Sequence, residues 1–243
     1  MSIRNSFLIM FFLLVITSAA KADSETFAWS VQGGGNGFDM GAAVAADAAG
    51  NVFITGYFQE TATFGTEDVT AVAFRDFYVS KYDNNGNVIW ARGFGGTSED
   101  ESYGIATDSE GNCFVTGAFG STVTFGDTSL SSYGSDDIFI IKMDPHGNVL
   151  WAEQAGGTNL DQGNAVTTDS DGNCIVTGYY SLTATFGDTT VNNAGNYDIF
   201  IAKYDMNGTL LWVETAGGQY FDQGNGIATD GFGNVAVTGK FSS

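Results

Sequence analysis

The 243 residues contain one proline, one histidine and two cysteines. Basic side chains are nearly as scarce: 8 Lys and Arg stand against 28 Asp and Glu, for a formal net charge of −20. That balance excludes a nucleic-acid binder, which needs a basic surface to displace counterions. It also argues against electrostatic docking on anionic lipid, and it permits cation binding. With a single proline, the turns fall to the 34 glycines. A Ser-His-Asp system would have to use His146, which sits in a turn and reads as an exposed turn residue. Cys113 and Cys174 have neither a neighbouring His nor a basic surround to make a thiolate. Beyond residue 22 no stretch is long and apolar enough to span a bilayer, which takes ~20 residues as a helix.

The first 22 residues read as an address. Arg4 makes a positive n-region, residues 7–16 an apolar core, and Ala20 and Ala22 end small-residue cleavage sites. The expectation is a secretory signal over residues 1–22 and a secreted or cell-surface mature chain. The mature chain, residues 23–243, is then still more acidic, because Arg4 and Lys21 leave with the signal and no acid does.

What is abundant is repetition. Residues 151–211 slide back by 61 onto residues 90–150 without a gap, with half of the positions identical, and again onto residues 29–89. Residues 212–243 begin a fourth copy. Trp29, Trp90, Trp151 and Trp212 keep step, as do Gly50, Gly111, Gly172 and Gly233. A fixed period of this size signals stacked units, an array or a propeller.

Each copy carries four strand signals, which in the third are A (residues 164–169), B (173–180), C (198–204) and D (209–216). The A–B and C–D links are both D-x-x-G: Asp can bond its own turn backbone and Gly can take positive φ, so both links read as tight antiparallel hairpins. The B–C connection is long, holds TATFG or TVTFG, and varies most between copies; a small extra hairpin or flap is expected there, and loops on one face of such an array are the natural contact surface. No helical pattern competes. A four-stranded unit cannot bury both of its faces alone, so its apolar side chains must stack on the next unit. The tryptophans on strand D and Phe64, Phe125 and Phe186 are expected to fill that space. Cys113 and Cys174 share their repeat position with Val52 and Val235, which marks an apolar strand site and favours two unpaired, buried thiols.

The pieces DSDGNCIVTG (residues 169–178) and DIFIAKYDMNGTLLW (residues 198–212), with the GG pair that follows, resemble the bacterial SBBP β-propeller repeat. The resemblance covers nearly everything after the signal. It implies an all-β array of four-stranded antiparallel blades and extracytoplasmic placement, and no particular activity. One departure matters: there are about three and a half repeats (29–89, 90–150, 151–211 and part of a fourth, 212–243), whereas propellers close with ~4–8 blades. The expectation is an incomplete or open propeller that needs further repeats or a partner to close.

Among the candidates for chemistry, Asp39, Asp100, Asp161 and Asp222 recur just before strand A. If A is innermost they gather near the axis, where oxygen ligands suit Ca²⁺. Set against that metal reading, a residue present in every repeat usually serves repeat geometry, here by tying down the inter-blade loop. Asp76, Asp137 and Asp198 open strand C, and Lys81, Lys142 and Lys203 recur along it, for which a structural bond is expected. Arg75, Arg92, Glu99 and Glu101 break the repeat and read as solvated charges. No residue set is singled out as catalytic, and no cofactor beyond Ca²⁺ is implied. The reading is a secreted, non-catalytic scaffold or a recognition surface for protein or glycan; the alternative is a propeller-type hydrolase or lyase acting on polysaccharide, with Ca²⁺ as a candidate cofactor.

Overall fold

The computed structural model describes residues 28–242, so the expected signal at residues 1–22 lies outside the described residues. A short strand β1 (Gly33–Gly35) precedes the first full repeat, which holds β2 (Met40–Ala46), β3 (Val52–Phe58), β4 (Thr61–Phe64), β5 (Glu67–Thr70), β6 (Asp76–Tyr82) and β7 (Val88–Phe94). The second holds β8 (Asp100–Thr107), β9 (Cys113–Phe119), β10 (Thr122–Phe125), β11 (Thr128–Ser131), β12 (Asp137–Met143) and β13 (Val149–Gly156). The third holds β14 (Gln162–Thr168), β15 (Cys174–Tyr180), β16 (Thr183–Phe186), β17 (Thr189–Asn192), β18 (Asp198–Tyr204) and β19 (Leu210–Ala216). β20 (Gln223–Thr229) and β21 (Val235–Lys240) follow as a hairpin. The described residues contain no helix.

The antiparallel blade order is β2-β3-β6-β7, β8-β9-β12-β13 and β14-β15-β18-β19. The D-x-x-G links are the hairpin turns. In the first, Asp47 Oδ1 accepts the N–H groups of Ala49 and Asn51, the carbonyl of Asp47 accepts from Gly50 N–H, and Gly50 takes φ +81°. That conformation costs a residue with a Cβ and costs glycine little. The array is all-β and open: no strand pairing joins the first sheet to the last among the described residues.

The inserted B–C segment is a two-stranded hairpin in every copy, β4–β5, β10–β11 and β16–β17. It packs on its own blade, Phe64 against Tyr78 and Phe186 against Phe200, and in two copies it also pairs with a strand that precedes that blade. β16 pairs with β13 of the preceding blade, through Ala155↔Phe186 and Gly156↔Thr185, and β4 pairs with β1 in the same way. The third repeat thus lends two strands to the sheet before it, and the middle sheet reads β17-β16-β13-β12-β9-β8, whereas β10–β11 stays a separate two-stranded sheet.

The core sits between blades. One cluster packs Phe53, Phe77 and Val79 of the first blade on Cys113, Val115, Phe139 and Ile141 of the second; a second packs Phe114, Ile138 and Ile140 on Cys174, Val176, Phe200 and Tyr204 of the third. Phe125 and Phe186 are fully buried and Phe64 nearly so, as their recurrence implies. Trp90 lies over Gly147 of the next blade's C–D turn, where a Cβ would come within 3.0 Å of the indole, and its Nε1–H donates to the Pro145 carbonyl at 3.0 Å. Trp29 on Gly86 and Trp151 on Gly208 repeat the arrangement. The glycine of that turn therefore serves both the backbone and the seat of the ring. Cys113 and Cys174 are buried and unpaired, and burial pushes the Cys113 thiol up to about 12.

Threonines tie the inner strands together. Thr107 Oγ1 donates to the Ala46 carbonyl, Thr168 to that of Thr107 and Thr229 to that of Thr168, at 2.8–2.9 Å, each 61 residues along the chain. Strands A of successive blades approach closely: a Cβ on Gly104 of β8 would lie 2.9 Å from the Ala165 Cα of β14. Only glycine fits there.

Candidate functional site

The residues common to all repeats are spent on architecture. Asp100 accepts from Gly96 N–H at 2.7 Å and Gly120 N–H at 3.1 Å; Asp161 accepts from Gly157 and Ser181, and Asp222 from Gly218 and Ser242. Each carboxylate thereby clamps the glycine pair after the preceding strand D to the end of its own strand B. Asp39 accepts from Gly35 alone, and its Oδ1 is buried without a partner. Among the described residues no three His, Cys, Asp or Glu side chains converge to hold an ion. Asp76, Asp137 and Asp198 each accept a backbone N–H four residues upstream. Lys81, Lys142 and Lys203 reach Asp47, Asp108 and Asp169 of their own blade's A–B turn, at 3.7, 3.5 and 2.7 Å. His146 is exposed, with its N–H held by Asp144.

The residues that break the repeat are where individuality resides, and most of them meet. Arg75 enters β6, Glu99 and Glu101 flank the start of β8, and Tyr103 follows two residues on. Arg75 pairs with Glu99 at 3.3 Å and with Glu101 at shorter range, and Glu101 also accepts from the Tyr103 hydroxyl. The guanidinium stands 5.4 Å from the centroid of Tyr57, on which Phe38 stacks. Burial works against the charge on Arg75, but its bond to Glu101 and the charges of Glu101 and Glu99 together outweigh this and strengthen its hold on the proton. Asp136, the counterpart of Arg75 one repeat on, is raised above its ordinary value by burial and by Glu99 and Glu101. Arg92 stays apart, 5.8 Å from the Trp90 ring.

The strip continues onto the third blade. Tyr179, Tyr197 and Phe221 form a three-ring cluster with centroids 4.9–5.5 Å apart, and Lys240 stands 5.2 Å over Phe221. Tyr179 donates to Gln162 Oε1, Gln162 donates to Asn164, and Asn164 donates to the Gly224 carbonyl. Burial, with Tyr197, Asp136 and Asp161 nearby, pushes the Tyr179 hydroxyl up to about 12. Burial raises the Tyr103 hydroxyl above its ordinary value, with Glu101 next and Tyr179 and Tyr57 adding to it.

Arg75, Glu99 and Glu101 were visible in sequence as departures from the period, but as solvated charges. The structure gathers them because equivalent positions near the start of strand A face the same end of the array. The aromatic half was missed, although the same signal marks it: Tyr197 stands where the other copies have Arg75 and Asp136, and Phe221 where they have Phe38, Glu99 and Leu160.

Residues 89–118 match the family model described as SBBP, beta-propeller repeat. An uncharacterized WD repeat-containing protein, L264, of Acanthamoeba polyphaga mimivirus is 28% identical over 200 residues, 69% of this chain and 14% of the relative. Regulatory protein FlaEY of Caulobacter vibrioides is 24% identical over 155 residues, 61% of this chain and 16% of the relative. The chain thus spans about one seventh of the length of these curated relatives. A crystal structure of a protein of unknown function from Bacteroides caccae superposes with a TM-score of 0.46 at 13% identity, covering 88% of this chain and 58% of that one. The family match falls almost wholly on the second copy of the 61-residue period, and the described chain is an all-β, propeller-like open array of four-stranded antiparallel blades.

Proposed function

We propose that the chain is a secreted, non-catalytic recognition module that binds a protein partner through the strip running from Tyr57 and Arg75 to Phe221. The observation that carries this is the convergence of repeat-breaking side chains, rich in Tyr and Arg, on one end of a scaffold whose repeated residues are otherwise committed to holding the blades. Tyr and Arg are enriched in binding hot spots: Tyr presents a large, stiff, amphipathic surface at low entropic cost, and Arg a planar fork of five donors that also stacks on rings. Arg75 is already braced by two glutamates, and Tyr179 by Gln162, so both are pre-organised. The WD-repeat name of one relative agrees with a protein-binding role. The secretory reading rests on residues 1–22 alone.

The test has three arms: cross-linking capture from the native extracytoplasmic fraction, a glycan array, and turnover on polysaccharides, each with the wild type and with an Arg75→Ala/Tyr197→Ala variant of unchanged melting temperature. A protein captured by the wild type and lost by the variant supports the reading. Glycan binding lost in the variant moves the ligand class to sugars. Turnover of a polysaccharide sinks the non-catalytic reading. N-terminal sequencing of the secreted protein checks the leader: a start at residue 21 or 23 supports it.

A further inference from the structure

Three repeat positions lie at each junction between copies, near the start of strand A. At the first junction they are Tyr57, Arg75 and Glu99, at the second Ala118, Asp136 and Leu160, and at the third Tyr179, Tyr197 and Phe221. The backbone holds the three sets alike: the N–H groups of Asp100, Asp161 and Asp222 donate to the carbonyls of Arg75, Asp136 and Tyr197, at 2.8–2.9 Å. The outer two junctions are filled. Arg75 lies between the Tyr57 ring and its two glutamates, and the third junction is closed by rings in mutual contact. The middle junction is not. Ala118 stands where the flanking junctions have tyrosine, and Gly120 stands where the other copies have Gln59 and Ser181. The Asp136 carboxylate uses the room at Gly120: a Cβ there would lie 2.9 Å from Asp136 Oδ1 and 2.9 Å from the Ser98 Cβ. Asp136 is half-buried, and among the described residues its carboxylate accepts no hydrogen bond and meets no cation. Its surroundings are acids and rings. Glu99 and Glu101 add to the effect of burial on its carboxyl. The Tyr103 hydroxyl donates to Glu101, and Asp136 acts on the Tyr179 hydroxyl after burial and Tyr197. Three carboxylates thus face one guanidinium.

We infer that the middle junction receives a basic side chain of the partner, arginine above all, entering between Asp136 and the glutamates Glu99 and Glu101. This rests on the strip being a protein-recognition surface and names the chemistry that the strip selects. The first junction displays the same cradle with the cation supplied by the chain itself: a guanidinium with carboxylates on one side and a tyrosine ring on the other. The middle junction brings carboxylates and tyrosines together again and has the small residues Ala118 and Gly120 in place of a filling side chain. A guanidinium suits it better than an ammonium. It is more weakly hydrated, stacks on a ring face and forks onto a carboxylate. Charge complementarity reaches beyond the cradle. A chain of net charge −20 speeds the approach of a basic partner and turns away acidic ones.

The probe is a blocked pentapeptide, acetyl-Gly-Gly-Arg-Gly-Gly-amide, beside its citrulline counterpart, which keeps the shape and loses the charge. Each is titrated into the whole chain and followed through the tyrosine ring signals by NMR. The arginine peptide is expected to shift Tyr103 and Tyr179, and the citrulline peptide to leave them in place. Asp136→Asn should weaken the arginine peptide at least ~10-fold, as loss of one member of a charge pair does. Asp188→Asn, exposed on the third inserted hairpin, should leave it unchanged. Asp136→Arg, which supplies the cation from within as Arg75 does, should abolish binding and raise the melting temperature. The inference is overturned if citrulline binds as well as arginine, if neither tyrosine signal moves, or if Asp136→Asn binds like the wild type. The captured partner separates this inference from the broader reading. A protein lost by Arg75→Ala/Tyr197→Ala but held at full affinity by Asp136→Asn sinks the cation cradle and leaves the recognition strip standing. An arginine peptide that binds as expected while no protein is captured supports the cradle and counts against the protein partner.

Discussion

Asp137 and Asp161 belong to different repeats and meet at Gly156: the position a Cβ would take on that glycine lies 2.7 Å from Asp137 Oδ1 and 2.9 Å from Asp161 Oδ2. Both residues are fully buried, and Asp137 Oδ1 has no hydrogen-bond partner. Burial, offset in part by the N–H groups of Ser181 and Gly157, and with Asp137 adjacent, pushes Asp161 up to about 7; burial above all pushes Asp137 up to about 6. Asp100 stands at about 7 for the same reasons, with Asp76 as its neighbour.

These raised values fix the sign of a pH dependence. Between the ordinary value of 3.8 and about 7, the folded chain binds more protons than the unfolded one, so stability falls as pH rises through that window. The melting temperature is expected to be higher at pH 5 than at pH 8. The net charge of −20 acts in the same direction, because protonation relieves self-repulsion. Two variants separate the causes: Asp161→Asn should flatten the dependence, and Asp188→Asn, which removes an exposed charge, should leave its slope unchanged. At the acid end the sign reverses through Asp169. Its burial is outweighed by bonds from Lys203 and Asn173, which hold it at about 2, and the stability it contributes is lost as pH falls from ~4 toward that value.

Calcium is expected to leave this behaviour alone. Both oxygens of Asp100, Asp161 and Asp222 already accept backbone N–H groups that have no other acceptor in place. Asp161→Ala would orphan the N–H groups of Gly157 and Ser181, at roughly 1–3 kcal/mol each. The predicted outcome is a lowered melting temperature of equal size with Ca²⁺ and with chelator. A loss seen only when Ca²⁺ is present would support the metal reading of these aspartates.

Most of the blade was legible in the sequence because its signals are local. The D-x-x-G links sit where two adjacent strands must turn, and the alternation within β9 or β15 needs no distant partner to be read. The pairing of β16 with β13 of the preceding blade was not legible: β16 alternates in the same way with or without that pairing, and only the approach of Phe186 to Ala155 makes it. The lysines were half legible. Their recurrence announced a structural bond, but the partner, an aspartate in the A–B turn on the far side of strand B, depends on strand order. The recognition strip lay in the residues that an alignment of the repeats discards.

Those lysines give a third prediction. Lys142 and Asp108 are almost wholly buried, and Lys142 also stands 5.0 Å over the Phe114 ring. Lys142→Met would leave the Asp108 charge buried and uncompensated, at about 3–5 kcal/mol. The double variant Asp108→Asn/Lys142→Met should recover most of that loss, since Asn can still cap the turn. Lys203→Met should cost less, because Lys203 is 20% exposed and water can reach the remaining carboxylate. Chemical denaturation of the three variants measures the order.

The tryptophan seats supply the last prediction, and it bears on whether the blades hold each other by their flanks. Trp90 is 3% exposed, stands edge-on to Phe53 at 6.0 Å, and closes over Gly147 of the following blade. Trp90→Ala therefore removes apolar area from an inter-blade contact and one of the two donors to the Pro145 carbonyl, leaving Lys81 at 3.2 Å as the other. A loss of about 3–5 kcal/mol is expected. Trp212 is half-buried, and among the described residues no glycine lies against it, so in this chain Trp212→Ala should cost clearly less. Gly147→Ala should approach the Trp90→Ala loss from the other side, because the added methyl meets both the indole and a backbone φ of +84°. If Trp90→Ala and Gly147→Ala are measured with their double variant, the two losses should fail to add, because either change alone already breaks the same contact. Additive losses would mean that ring and turn act separately, and that the blades are joined by something other than these seats.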